Sequence, residues 1–470
     1  MKATGHVHEG RKLQIEGCPQ IVPAELGGYA GAPERGKMAE TEAADTGNQN
    51  GGLMEKILNR GNLNAAYKKV KTNKGAGGVD EMRVEELLPY LKQHGEELIQ
   101  QLREGNYKPN PVRRVEIPKE EPGKTRKLGI PTVVDRVIQQ AIAQELSPIY
   151  ESQFHECSYG FRPNRGAHDA LRKVCQNVND GYTYVVDMDL EKFFDTVSQS
   201  KLTEVLSRTI KDGNVVSLIH KYQRAGVVEN GLFARTEIGV AQGGNLSPLL
   251  SNVMLNELDW ELDRRGHKFV RYADDLMIFC KSSRAAERTL AKIIPYIEGK
   301  LFLKVNREKT AVAQISKVKY LGYGFYRYME ECRLRVHPKS VGKMKARIRQ
   351  LTNRSNGWGN DFRAMKLTQF IRGWVNYFKL ADMKTLLMGT DEWLRRKIRA
   401  IYWKQWKRVK TRCRMIAKFG IPKWRVHEMA NCRKGIWRAS LMLNSVLTKE
   451  VIVSLGFITL ADCYLKTRVN

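Results

Sequence analysis

Apolar residues follow a helical period over long stretches of this chain and a strand-like pattern over a few short ones. Leu53 to Val70 and Val84 to Leu102 carry them at helical spacing, so ordered structure is expected to begin near Leu53. Arg113 to Ile130 reads as two strands joined by a polar Glu121-Pro122-Gly123 turn, and Pro131 then opens an amphipathic helix reaching Leu146. A turn-rich segment, Ser158 to Arg165, leads into a helix from about Ala167. Tyr184 to Leu190 is an apolar strand interrupted by two acids, Asp187 and Asp189. Ser247-Pro248 marks the start of a helix running to Leu262, and Phe269 to Cys280 reads as a hairpin turning at Tyr272-Ala273-Asp274-Asp275. From Lys339 the pattern is helical. In its last long helix, Asp391 to Lys410, the stripe Leu394, Ile398, Ile401, Tyr402 and Trp406 leaves Arg395, Arg399 and Lys407 on another face. Residues 1 to 52 hold 10 Gly and 3 Pro with little periodicity and read as a flexible leader.

Charge changes this picture by dividing it. The 470 residues carry 80 Lys and Arg against 50 Asp and Glu, a formal +30. Glu331 to Asn470 holds 32 basic and 8 acidic residues, so +24 of that excess lies in the last 140 positions. Such an excess predicts a polyanionic partner. Nucleic acid fits better than a membrane, because no apolar run approaches the roughly 20 residues of a spanning helix. The eight cysteines show no zinc spacing and read as reduced cytosolic thiols, and no signal peptide is evident in the first 20 residues.

The acids supply the candidate chemistry. Asp274 and Asp275 are adjacent in a hairpin turn, while Asp187 and Asp189, two apart, share one face of a strand. Neighbouring carboxylates resist ionisation unless a cation lies between them. Paired divalent metals on such carboxylates serve in-line phosphoryl transfer. An isolated Asp-Asp would read as a polar turn; the second acidic strand, followed by Lys192-Phe193-Phe194-Asp195, favours a metal platform.

The acidic strand, the aromatic pair and the Tyr272-Ala273-Asp274-Asp275 box together resemble the palm of group II intron-encoded reverse transcriptases. The resemblance extends over about residues 53 to 470. It includes Ser158-Tyr159-Gly160-Phe161-Arg162-Pro163, the loop Gln242-Gly243-Gly244-Asn245-Leu246-Ser247-Pro248, where Ala241 replaces the usual proline, and Arg372-Gly373-Trp374-Val375-Asn376-Tyr377-Phe378 of the maturase thumb, called domain X. It implies an α+β right-hand polymerase with fingers, an antiparallel palm sheet and a helical thumb. The expected divisions are a leader (1–52), an N-terminal extension (53–112), fingers and palm (113–337), thumb (338–410) and a basic C-terminal region (411–470). The chain has no cysteine and histidine cluster near its end, so the resemblance further suggests an endonuclease-free, group IIC-like bacterial enzyme.

The resemblance also implies site residues. Asp189, Asp274 and Asp275 would be catalytic and, with Leu190, would hold two Mg²⁺ ions, for which Mn²⁺ could substitute; Asp187 competes with Asp189, whose spacing to Phe194 matches the family. Lys119 and Arg126 would clamp the triphosphate, although both also suit a solvated edge strand. Phe194 would exclude a ribose 2′-hydroxyl, Gln242 would contact the dNTP and Lys309 the leaving pyrophosphate. Arg162, Arg165, Gly243, Gly244, Tyr320 and Gly322 would meet primer or template. Phe193 or Phe194, and Tyr320 with Phe325, suit a core equally well. Where the family commonly has glycine, this chain has Phe302. Arg372, Arg395, Arg399 and Lys407 would bind RNA. The implied activity is RNA-directed DNA synthesis from dNTPs on intron RNA, primed by target DNA during retrohoming, together with assistance to splicing, in the bacterial cytoplasm. A splicing cofactor without polymerase activity and a relative recruited to phage defence are the alternatives.

Overall fold

The computed structural model describes residues 52–118, 123, 125–236, 238–239 and 242–469. The expected leader, apart from Gly52, and the positions of Lys119 and Ala241 lie outside the described residues. The described chain forms two compact units, residues 52–345 with 380–383, and residues 346–379 with 384–469.

The first unit contains three sheets. Strands β1 (Val112–Pro118), β2 (Thr125–Ile130), β4 (Val227–Glu229) and β5 (Leu232–Ala234) form one in the order β2-β1-β4-β5. A second, of order β6-β7-β3-β8, is built from β3 (Tyr184–Met188), β6 (Lys268–Tyr272), β7 (Asp275–Cys280) and β8 (Ala311–Gln314), all antiparallel. The third joins β9 (Lys319–Tyr320), β10 (Tyr323–Tyr328) and β11 (Glu331–Val336). In β3, Val185 and Val186 face opposite sides of the sheet and both are fully buried, so this strand is covered on both faces. That explains its nearly continuous apolar sequence, broken only at Asp187.

The helix Val133–Glu151 departs from its expected amphipathic pattern: every residue from Val133 to Ala143 is buried. Its polar members are inside because they have partners. The Asp135 carboxylate accepts hydrogen bonds from Tyr107 (2.7 Å) and Thr132 (2.6 Å), and Arg136 donates to the Ala76 carbonyl (2.6 Å). A buried polar side chain mimics a solvent face in sequence, and only its partners reveal the difference.

In the second unit the helix Lys384–Gln405 begins earlier and ends sooner than expected. Its apolar stripe, including Leu394, Ile398, Ile401 and Tyr402, is buried. Asp391 accepts the backbone amides of Leu460 (2.8 Å) and Ala461 (2.8 Å), tying it to the first turn of the helix Leu460–Val469. No described helix is long and apolar enough to cross a membrane.

Candidate active site

The β6–β7 hairpin brings two acids to the edge of the second sheet. Tyr272 pairs with Asp275 across a turn of two residues, Ala273 and Asp274. Such turns favour positive φ, which suits glycine, yet Ala273 holds φ +57°. The conformation costs about 1–2 kcal/mol for an L-residue and needs support. Arg271 supplies it from beneath: its Nη1 donates to the Ala273 carbonyl (2.9 Å) and to Asn252 Oδ1 (3.0 Å). Its Nε and Nη2 donate to Asp259 at 2.7 and 2.5 Å. Arg271, Asp259 and Asn252 are all fully buried. A buried ion pair repays its desolvation only when its hydrogen-bonding groups are satisfied, as here.

Gly160 backs the same turn. A Cβ there would lie 2.3 Å from the Ala273 nitrogen, so only glycine permits this approach. The Tyr159 amide donates to the Arg271 carbonyl, and the Arg271 amide to the Cys157 carbonyl, both at 2.9 Å. Sequence reasoning missed Arg271, Asp259 and Asn252. A signal was present: an arginine inside the apolar strand Phe269-Val270-Arg271, with an amide and an acid seven residues apart on the preceding helix.

Asp189 stands just beyond β3. Asn306 clamps it twice, its amide donating to the Asp189 carbonyl and its Nδ2 to Oδ2, both at 2.9 Å, while the Asp189 amide donates to Thr310 Oγ1 (3.2 Å). The Lys309 ammonium lies 3.5 Å from Asp189 Oδ2. Asp187 is instead inside the sheet, opposite Met277 and Ala311, and burial followed by the Asp189 charge pushes its carboxyl up to about 6. The Asp274 carboxyl is also raised, first by desolvation. Its own backbone hydrogen bond opposes this, Asp189 adds to it, and Arg126 and Arg271 pull it back. Asp189, Asp274 and Arg126 thus share one electrostatic environment. Among the described residues, no three His, Cys, Asp or Glu side chains gather as a ready-made metal cage. The donor set nonetheless suits a hard divalent cation, because Met188 pairs with Leu276 and so brings Asp189, just beyond β3, to the end of the sheet where the hairpin turn carries Asp274 and Asp275.

Phe193 and Phe194 differ in burial, though both pack on the core. Phe193 is buried, whereas Phe194 is half-buried and meets it edge-on at 5.3 Å. The loop leading to Ser247 packs beside them, the Gly239 amide donating to the Val197 carbonyl (2.8 Å). The Gln242 carbonyl accepts from Gly129 of β2 at 2.7 Å.

Two family models match this chain: "Reverse transcriptase (RNA-dependent DNA polymerase)" over residues 117–325 and "Group II intron, maturase-specific domain" over residues 341–419. Protein YkfC of Escherichia coli (strain K12) is 37% identical over 285 residues, an alignment covering 52% of this chain and 74% of that protein. The chain belongs to the group II intron reverse transcriptase/maturase family. The group II intron-encoded protein LtrA of Lactococcus lactis subsp. cremoris is 30% identical over 325 residues, covering 55% of this chain and 54% of LtrA. Among solved structures, a partial Cas6-RT-Cas1–Cas2 complex matches at 22% identity and a TM-score of 0.35, over 53% of this chain and 43% of that one. The fold is the mixed α+β fold of a reverse transcriptase.

Several residues that the family resemblance places on nucleic acid face the protein instead. Arg162 is buried, with Nη2 on Glu151 (2.7 Å) and Nη1 on the His155 (2.6 Å) and Ser158 (3.0 Å) carbonyls, so its guanidinium holds the loop rather than a template. Arg165 is half-buried, donates to the Glu156 carbonyl and lies 5.7 Å over the Tyr159 ring. A Cβ at Gly243 would meet the Gly129 oxygen at 2.5 Å, and one at Gly244 the Gln139 Oε1 at 2.6 Å. Gly243, with φ +116° and backbone in the way, is therefore demanded by close packing of the loop on its own chain, whereas the obstacle at Gly244 is the movable tip of the Gln139 side chain. Tyr320 is buried, its hydroxyl 3.5 Å from the Asp275 carbonyl and its phenol raised by burial and then by the Asp275 charge; its ring supports the hairpin and is not offered to a primer. Gly322 takes φ +83°, and its carbonyl accepts from Ser340 Oγ (2.8 Å). Phe302, where the resemblance leads to the expectation of glycine, also has a left-handed backbone, φ +55°.

The proposed RNA-facing residues separate as well. Arg372 and Lys407 are exposed and Arg395 is half-buried. Arg399 is a correction: it is buried, donates from Nε to the Leu447 carbonyl (2.8 Å), and is brought down to about 10 by burial and then by Arg395. Later parts of the chain cover the helix face that looked free in sequence.

Proposed function

We propose that this chain is an RNA-directed DNA polymerase that copies intron RNA into cDNA during retrohoming and, as a maturase, grips intron RNA to assist splicing. The observation that carries the reading is the strand register: with Met188 opposite Leu276, Asp189 at the end of the central strand reaches the same end of the sheet as the Asp274–Asp275 turn, and its charge helps raise the Asp274 carboxyl. Asp189, the Leu190 carbonyl, Asp274 and Asp275 would hold two Mg²⁺, or Mn²⁺ in substitution. When bound, these ions supply Lewis-acid activation of a primer 3′-hydroxyl and neutralise charge on the departing pyrophosphate.

The chain's own residues do the rest. Arg126, whose charge already reaches Asp274, binds phosphate of the incoming dNTP, with Lys119 as its partner in the clamp. Lys309, free to leave Asp189 when another cation takes that place, meets the pyrophosphate. Phe194 would present its open side to the sugar and obstruct a 2′-hydroxyl, while Gln242, tethered through its carbonyl to β2, would contact the dNTP. The substrates are dNTPs, an RNA template and a DNA primer at the target site, and the setting is the nucleic-acid-associated bacterial cytoplasm.

Primer extension on an RNA template tests the assignment. Asp274→Asn is expected to lower extension on the order of 10⁴-fold, the scale seen when one member of a catalytic unit is removed. Intron RNA binding should persist in the variant. Near-normal extension by Asp274→Asn removes the active-site assignment, and splicing assistance by a parent protein that never extends a primer identifies a splicing cofactor.

A further inference from the structure

The helix Lys384–Gln405 has a second cationic face, rotated from the one carrying Arg399. Trp393, Arg396 and Lys397 fall at helical spacings of three and four and so lie together. Arg396 stacks 4.0 Å from the ring centre of Trp437, on the helix Ile436–Met442, and donates from Nη2 to the Trp437 carbonyl at 3.0 Å. The Lys397 ammonium lies 5.2 Å from the Trp393 ring and 5.9 Å from the Trp437 ring. Arg349 also approaches Trp393, 5.6 Å from its ring centre. Trp437 remains 40% exposed, and Arg349 and Arg354 are exposed.

This cluster lacks counter-charge. Among the described residues, none of Arg349, Arg354, Arg396 or Lys397 forms an ion pair with a carboxylate. The Lys397 ammonium is drawn below its ordinary value by burial, then by Arg349 and Arg354. Cations held together against their own repulsion are relieved by a polyanion. The indoles specify its form. Bases in a duplex are stacked on one another, and the deep major groove of A-form RNA does not admit side chains, so an indole gains little from a paired helix. An unpaired base can add its face to the open side of Trp437, extending the stack that Arg396 begins.

We propose that this cation–indole cluster binds an unpaired segment of intron RNA, its phosphates on Arg349, Arg354 and Lys397 and a base on Trp437. The inference rests on the maturase reading and adds the surface and the RNA form to it.

The test uses the full chain with two labelled RNAs of equal phosphate count, an oligouridylate and a fully paired hairpin, measured by anisotropy over a salt series. Trp437→Leu should weaken oligouridylate binding about tenfold, the scale of one base–aromatic stack, with hairpin binding and the salt slope nearly unchanged. Trp437→Phe, which retains a ring, should keep most of the affinity. Arg349→Gln/Lys397→Gln should flatten the oligouridylate slope by about 1.4 units. The proposal is overturned if Trp437→Leu leaves oligouridylate binding unchanged, or if it weakens both RNAs equally while circular dichroism shows the parent fold. Extension of a short pre-annealed primer–template separates the two readings. A parent that binds oligouridylate through Trp437 but extends nothing removes the polymerase and keeps the surface, whereas a parent that extends but loses no affinity on Trp437→Leu removes the surface alone.

Discussion

The carboxylate site and the cationic helices hold their charges by different means. Asp189 and Asp274 are each positioned locally, by a strand end and a two-residue turn, and remote groups then hold them there: Asn306 and Thr310 for the first, Arg271 and Gly160 for the second. On the helix Lys384–Gln405, whether an arginine is free depends on where later segments fall. Arg399 reaches the Leu447 carbonyl and is lost from the surface, while Arg396 remains stacked on a half-open Trp437. Chemistry confined to a strand end and a tight turn can be located by spacing, because period-two geometry and a short loop leave few options. A helix offers several faces, and spacing alone does not say which one is covered.

The sharpest way to break this contrast is to remove the support beneath the hairpin. Arg271→Met leaves Asp259 buried and unpaired, and is expected to destabilise the protein by about 3–5 kcal/mol in denaturant unfolding. Arg271→Met/Asp259→Leu should recover much of that stability but not primer extension, because the Ala273 carbonyl and its left-handed turn still lack their clamp. Full recovery of extension in the double variant would show that the network serves stability alone.

A smaller effect is expected at Phe194, the less buried of the two adjacent phenylalanines. Phe194→Val should raise ribonucleotide incorporation relative to deoxynucleotide by roughly tenfold in the ratio of kcat/KM values, within the range open to a shape change in a pocket. An unchanged ratio in a folded variant would return Phe194 to the core beside Phe193.

The smallest effect sharpens the comparison on the helical side. Lys407→Gln should flatten the salt dependence of intron RNA binding by roughly 0.7 to 0.9 units, one phosphate contact. Arg399→Gln should leave that slope alone and lower stability instead, since its guanidinium serves a buried carbonyl. Equal flattening by both substitutions would place Arg399 on RNA after all.

Much of the architecture was legible before any coordinates. The strand through Val185 and Val186, the hairpin of Phe269 to Cys280, the helix opening at Ser247-Pro248 and the apolar stripe through Leu394 and Ile398 follow from period, turn chemistry and capping. Other readings failed for a common reason. The helix Val133–Glu151 looked amphipathic because Asp135 and Arg136 are polar, and their partners at Tyr107 and Ala76 are distant in sequence. Arg162 looked like a template contact, but Glu151 and two carbonyls occupy its guanidinium.

By itself, then, the sequence determined which residue types stand at which spacing, and hence the acidic strand, the Asp-Asp turn and the cationic excess of the last 140 residues. Tertiary structure alone decided which charges remain available. Burial turns on groups brought together from remote parts of the chain, and a polar side chain enters the interior when those groups complete its hydrogen bonds. That is why Arg271, which the sequence marks only as an arginine inside an apolar strand, lies beneath the hairpin turn, while Arg399, which looked free, is enclosed.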